Sequence, residues 1–367
     1  MAGLACLALG AELLVRGASR LARAVGLPSL VIGLTVVAYG TSAPEFAVSL
    51  RAGLAGQADI ALGNVVGSNT FNVLFILGVA ALILPLTVSA QLVRLDVPVM
   101  IGASAAAWLV AADGTIGRCE GLLLLGAFLV YTAGLIRLGR SQGSSSAGPG
   151  PNREPAPAKG RVVLPVLLVL AGLALLVLGA RWLVQGAADL ARLLGAGELL
   201  VGLTVVAAGT SLPEAATSVV ASVRGEPDIA VGNIVGSNIF NILAVLGATA
   251  AASPGGVSVP EAALHLDVPV MVAAAVACLP VFFTGGRISR WEGALFLGYY
   301  IAYLSYLAVG LYRREAPPGF TGTVLLLVLP GIVLGVGGSV VWARRPGKGA
   351  RGRADLGEPH ERDGRAE

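Results

Sequence analysis

Charge is scarce in this chain. Asp, Glu, Lys and Arg make up 13% of its 367 residues, against about a quarter in a soluble domain. Histidine is scarcer still: only His265 and His360 occur, which excludes a histidine-rich metal centre. The three cysteines, Cys6, Cys119 and Cys278, are far apart and lack metal-ligand spacing, so they read as packing residues. There is no HExxH, Walker A or dinucleotide fingerprint, and no nucleophile motif that would support an enzyme. What is present is apolar: 56% of the residues are hydrophobic and the mean hydropathy is +0.82. Long apolar runs recur from end to end, which predicts an all-α polytopic membrane protein whose solvent is the lipid bilayer. The net charge of +4 is small, and no nucleic-acid partner is expected.

The chain is written twice. "GLTVVAYGTSAPEFAVS" at 33–49 is matched by "GLTVVAAGTSLPEAATS" at 202–218, with 13 identities in 17 positions at an offset of 169. "DIALGNVVGSNTFNVL" at 59–74 is matched by "DIAVGNIVGSNIFNIL" at 228–243, with 12 identities in 16 at the same offset. Weaker echoes flank these blocks, among them "LDVPVM" at 95–100 and 266–271, and "GRCEG" at 117–121 against "SRWEG" at 289–293.

The apolar runs divide into five spans per repeat, near 3–22, 29–50, 60–84, 95–112 and 120–138, then 162–186, 199–222, 229–252, 265–284 and 291–312. An odd number per repeat makes the second repeat enter the membrane from the opposite side, so the two form an inverted-topology pair, as in many secondary transporters. The first repeat is thus 1–138 and the second 162–312. Residues 139–161, rich in Gly, Ser and Pro, read as a flexible linker. One extra C-terminal helix is expected at 321–342, followed by a basic tail at 343–367. The first span is shorter than its repeat partner by a turn or two. It aligns with an interior span, so it reads as a membrane helix and not as a signal peptide. With the N-terminus outside, only Arg51, Arg118, Arg181, Arg192, Arg313 and Arg314 face outward, and the other 19 Lys and Arg face inward. The positive-inside rule favours this orientation, with linker and tail cytoplasmic in a cell membrane.

Glu45 and Glu214 are the acids of the duplicated block, and no basic residue lies in their runs. A charge in the bilayer core is costly and marks an ion pathway. Pro44 and Pro213, preceded by Gly40 and Gly209, predict a broken helix that frees the carbonyls of Ala38 and Ala207. Thr41 and Glu45 share a helical face at i, i+4, as do Thr210 and Glu214. Ser42 and Ser211 add a second hydroxyl at each break. The next block supplies Ser68 and Asn72, with Ser237 and Asn241 in the twin. Asn64, Asn69, Asn233 and Asn238 fit interhelical hydrogen bonding, and Gly63, Gly67, Gly232 and Gly236 fit close packing. Asp59 and Asp228 read as N-caps. Glu120, Glu292, Asp96 and Asp267 read as capping or solvated interfacial acids. The collected set is all oxygen, without sulfur or imidazole, and suits a hard cation such as Ca²⁺ or Na⁺.

"GTSAPE" and "GTSLPE", each followed by "GNxVGSNxFN", resemble the two repeats of the sodium/calcium exchanger family, within the cation/calcium antiporter superfamily. The resemblance spans about residues 1–312. It implies an ion site between helices two, three, seven and eight. Its ligands would be Thr41, Ser42, Glu45, Ser68 and Asn72, with Thr210, Ser211, Glu214, Ser237 and Asn241, joined by the carbonyls of Ala38 and Ala207. The implied activity is exchange of Ca²⁺ for Na⁺ by alternating access, with glycine-bearing helices one and six (Gly10, Gly17, Gly172, Gly179) sliding past the site. Many members carry Asp where Asn241 stands, including potassium-dependent exchangers, so this chain is expected to be potassium-independent. A proton/calcium antiporter is the alternative, and a cation channel is the alternative of another class. A channel needs a continuous pore, whereas a duplicated midplane site suits alternating access.

Overall fold

The computed structural model describes residues 1–145, 162–193, 207–283 and 286–313. Leucine, alanine and valine dominate these segments. In hydrocarbon every backbone polar group must be satisfied within the protein, which helices achieve residue by residue. The chain accordingly forms α1 (Ala2–Val25), a bent pair α2 (Ser29–Thr41) and α3 (Ala43–Leu54), α4 (Ala58–Ile83) and α5 (Leu92–Val110). Then come α6 (Arg118–Ser145) and α7 (Val163–Leu193). Next are α8 (Ala207–Thr210), α9 (Leu212–Val223), α10 (Pro227–Ala252), α11 (Ala263–Phe282) and α12 (Arg290–Arg313). Among the described residues, seven helices are long and apolar enough to cross a membrane, or eight with the bent pair counted as one span. This is a multi-pass membrane protein. The expected eleventh span at 321–342 and the tail lie outside the described residues, as does the first part of the seventh span. Helix α6 runs on to Ser145, so helical structure continues into the stretch read as linker.

The close approaches between the repeats come in related pairs. A Cβ on Gly3 would stand 2.9 Å from the Gly179 carbonyl, and one on Gly172 would stand 2.7 Å from the Gly10 carbonyl. Gly17, further along α1, meets Pro165 and Val169 near the start of α7. Contacts advance along α1 as they retreat along α7, so these equivalent helices cross antiparallel, as inversion requires. Glycine permits the contact because a side chain at any of these positions would meet backbone. The pairs Gly78–Gly293 and Gly121–Gly247 repeat the arrangement. So do two short antiparallel ladders, β1 (Leu86–Thr87) with β4 (Arg287–Ile288), and β2 (Thr115–Ile116) with β3 (Val257–Ser258). Each ladder joins two loops that alternation of the spans puts on one face.

The core is centred on the third helix of each repeat: 72% of the most apolar stretch of α4 and 94% of that of α10 is buried, against half or less for the other full spans. Both helices contain a π-helical segment, Phe71–Leu77 and Asn241–Leu246. Such segments are rare and concentrate at functional sites.

Several interfacial acids differ from expectation. The N-caps of α4 and α10 are Gln57 and Glu226, so Asp59 and Asp228 lie within the first turn instead, because each helix starts one residue before the acid. Asp96 is fully buried and accepts hydrogen bonds from Tyr131 Oη at 2.9 Å and Gln91 Nε2 at 3.2 Å. Asp267 likewise accepts from Tyr303 Oη at 2.6 Å. A tyrosine on the neighbouring helix, distant in sequence, draws each acid inward. Glu120 and Glu292 do cap, accepting from the backbone N–H of Gly117 (2.6 Å) and Ser289 (2.8 Å).

Candidate ion-binding site

The helix break expected from Pro44 is present. Ser42 leaves the helical region (φ −82°, ψ 7°), and α2 and α3 meet at 47°. Ser211 has nearly the same backbone, φ −89° and ψ 8°. Each proline falls in the first turn of the new helix, where its missing N–H is tolerated. Glu45 and Glu214 also lie in that first turn, where the positive end of the helix dipole favours a carboxylate. One detail differs from expectation. The Ala38 carbonyl is not freed by the break: it accepts the Ser42 N–H at 3.0 Å. Proline removes the donor two residues later, opposite Gly40. The Ala38 oxygen nevertheless lies within the cluster, 3.3 Å from Thr41 Oγ1 and 3.4 Å from Ser237 Oγ. Ala207 opens α8, one turn before Ser211.

The two repeats bond to each other crosswise. Ser42 Oγ donates to Glu214 Oε1 at 2.7 Å, and Ser211 Oγ donates to Glu45 Oε1 at 2.9 Å. Ser211 Oγ also lies 3.0 Å from Ser68 Oγ. Thr41 Oγ1 donates to Asn233 Oδ1 at 3.0 Å, and Thr210 Oγ1 to Asn64 Oδ1 at 3.3 Å. Asn72 Nδ2 donates to Asn238 Oδ1 at 3.0 Å, and Asn241 Nδ2 to Asn69 Oδ1 at 3.1 Å. The four asparagines assigned to interhelical bonding therefore hold the other site residues in place. Asn64 and Asn233 in turn donate to Ser49 Oγ (2.9 Å) and Ser218 Oγ (3.0 Å). These two serines were not singled out from the sequence, although both end the duplicated block at the same offset. Of the four packing glycines, Gly232 and Gly236 lie against α2, where an added Cβ would be 3.2 and 2.6 Å from backbone oxygen; among the described residues Gly63 and Gly67 meet nothing within 4 Å.

What remains unsatisfied is decisive. Among the described residues, Glu45 Oε2, Glu214 Oε2, Asn72 Oδ1 and Asn241 Oδ1 are buried without a hydrogen-bond partner. They form two pairs related by the repeat, one carboxylate and one amide oxygen from each half. A buried unsatisfied acceptor costs about 1–3 kcal/mol, more when charged. Four bare oxygens, two of them on carboxylates, are a candidate receptor for a hard cation. The site is also closed: Thr41, Ser42, Glu45, Ser68, Asn72, Ser211, Glu214, Ser237 and Asn241 are each at most 3% exposed. An ion could reach it only through rearrangement of the surrounding helices.

The fold and this candidate site fit a membrane antiporter for a hard cation. A family model described as "Sodium/calcium exchanger protein" matches residues 1–137 and 164–309. The sodium/calcium exchanger MaX1 of Methanosarcina acetivorans is 32% identical over 335 residues, covering 82% of this chain and 95% of its own. The inner membrane protein YrbG of Escherichia coli K12 is 40% identical over 311 residues, covering 83% of this chain and 94% of its own. A structure of the sodium-calcium exchanger NCX_Mj, soaked with 10 mM Na⁺ and no Ca²⁺, superposes with a TM-score of 0.72 at 29% identity, covering 83% of this chain and 96% of that one. The chain belongs to the sodium/calcium exchanger family. It is a cation/calcium antiporter and not an enzyme.

Proposed function

We propose that the chain exchanges Ca²⁺ for Na⁺ across a cell membrane, electrogenically and without potassium. The observation that carries the reading is the two symmetric pairs of bare oxygens between the repeats. One Ca²⁺ takes about 6–8 oxygens and is neutralised by two carboxylates. Glu45 and Glu214 supply the charge. Asn72, Asn241, Thr41, Thr210, Ser42, Ser211, Ser68, Ser237 and the carbonyls of Ala38 and Ala207 complete the oxygen set. Three Na⁺ on the same two charges leave the loaded site at +1, so each cycle moves charge. The closed site fits alternating access, with α1 and α7, joined through their glycines, moving together against the core. We further propose that the linker and tail lie in the cytoplasm, which the excess of Lys and Arg on that side supports. The test is Ca²⁺ flux in proteoliposomes with Na⁺, K⁺ and H⁺ gradients imposed separately. Flux driven by Na⁺ alone is expected, and flux driven by H⁺ in the absence of Na⁺ would overturn the choice of counter-ion.

A further inference from the structure

A second polar site lies at one end of the bundle and shares no residue with the ion site. It is a cavity of about 290 Å³ lined by Arg16, Ser19, Arg20, Arg23, Arg224 and Glu226. That is the lower end of small-ligand sites, the size of a headgroup. One wall is the last turns of α1; the other is the connection between α9 and α10, where Arg224 caps one helix and Glu226 starts the next.

The charges in this cavity do not cancel. Arg16 is ion-paired with Glu12, and Arg224 grips the same carboxylate through Nη2 (2.6 Å) and Nε (2.8 Å). Ser19 is buried and donates to Glu226 Oε1 at 2.6 Å, and Arg23 Nη1 donates to Ser19 Oγ at 3.2 Å. Arg20 and Arg23 have no carboxylate partner among the described residues. Four guanidinium groups thus face two carboxylates. The repeat does not reproduce the cluster: at the offset of 169, Arg23 is matched by Arg192, but Arg16, Ser19 and Arg20 correspond to Gln185, Ala188 and Asp189, and Arg224 and Glu226 to Ala55 and Gln57. The duplicated ion machinery therefore does not account for it. The positive-inside bias accounts for basic residues on this face, but not for their convergence on a concavity with a fixed Ser19–Glu226 floor. Val25 and Val223, at the ends of the two walls, are exposed, so apolar surface borders the cavity.

We propose that this pocket binds the phosphate of an anionic phospholipid headgroup from the leaflet it faces. Arginine forks match phosphate oxygens in geometry and charge, and basic pockets between membrane helices take anionic headgroups. A bound headgroup ties α1 to the α9–α10 connection. The inference needs no particular counter-ion, and its readout is lipid binding, so its failure is separable from failure of the exchange reading.

The experiment is native mass spectrometry of the full chain in detergent, titrated with phosphatidylglycerol, with phosphatidylcholine and inorganic phosphate as parallel arms. Phosphatidylglycerol should bind at least about tenfold tighter than either, given roughly tenfold per 1.4 kcal/mol and about 1 kcal/mol per basic residue near the surface. Arg20→Gln with Arg23→Gln should weaken it roughly thirtyfold. Glu226→Gln, which removes an anion from the wall, should strengthen it roughly fivefold, a gain that misfolding cannot produce. Equal binding of phosphatidylcholine would overturn the proposal, as would parent-level binding by the double variant or no gain in Glu226→Gln. Inorganic phosphate binding as tightly as phosphatidylglycerol would overturn the lipid as its source.

Discussion

Replacing Glu45 by Gln alters one terminal atom and removes one charge. The remaining carbonyl oxygen can still accept the Ser211 hydroxyl, which stands 2.9 Å from Oε1. The crosswise bond between the repeats is therefore kept, while the bare Oε2 is replaced by an amide N–H₂ group. Calcium sits about 2.3–2.6 Å from its oxygen ligands. At that distance the attraction between one carboxylate charge and a divalent ion is about 3.5 kcal/mol even with the dielectric constant of bulk water. That is roughly a three-hundredfold rise in Kd. The figure is a floor, because the site is buried. Ligand linkage makes the effect visible without transport. At a Ca²⁺ concentration of about 100 times the parent Kd, binding stabilises the fold by about 2.7 kcal/mol; after a three-hundredfold loss it contributes about 0.2 kcal/mol. The Ca²⁺-induced rise in Tm should therefore vanish in Glu45→Gln, and equally in Glu214→Gln. The ion-free variants should unfold at or above the parent temperature, since a buried charge without its counter-ion is unfavourable. Thermal unfolding with and without Ca²⁺, together with ⁴⁵Ca²⁺ flux, measures both. A Kd within threefold of the parent for either variant would refute the charge argument.

Three further outcomes follow from the same geometry. Sodium-driven Ca²⁺ flux should be unchanged when K⁺ is replaced by a large organic cation at clamped potential, because the Asn241 amide adds no charge; an absolute K⁺ requirement would contradict that. Ca²⁺ uptake into Na⁺-loaded vesicles should accelerate with inside-positive potential. One charge through 100 mV is worth about 2.3 kcal/mol, roughly fortyfold in the attainable Ca²⁺ ratio, and uptake indifferent to potential would point to two Na⁺ per Ca²⁺. Gly236→Ala would set a Cβ 2.6 Å from the Leu34 carbonyl and 2.8 Å from the Ala38 Cβ. Overpacking of this kind costs about 1–3 kcal/mol, so chemical denaturation should show lower stability and the flux assay weaker Ca²⁺ transport. Gly102→Ala on the exposed side of α5 should leave both unchanged.

Much of this protein is written in the order of its residues. An apolar chain that crosses lipid must satisfy its backbone internally, which helices do, and a duplication of the two motif blocks at an offset of 169 makes each ion-site residue found in one half present in the other. Glu45 and Glu214, each beside a proline in an uncharged run, were legible because a carboxylate there has no local explanation. What the sequence could not contain is which atoms are left over. Ser42 and Ser211 could have served their own repeat. Folding instead turns each hydroxyl toward the opposite carboxylate, and turns Asn69 and Asn238 toward Asn241 and Asn72. Only then is one oxygen of each acid and amide bare. Asp96 shows the same limit: near a span boundary it read as a solvated acid, until packing brought Tyr131 to within 2.9 Å. The arginine pocket lies furthest from the sequence, since Arg20 and Glu226 are separated by most of the chain and line one pocket only because α1 packs against α9. Spacing along the chain encodes faces and breaks; the donors that meet each acceptor are settled by contacts between segments that the chain holds far apart.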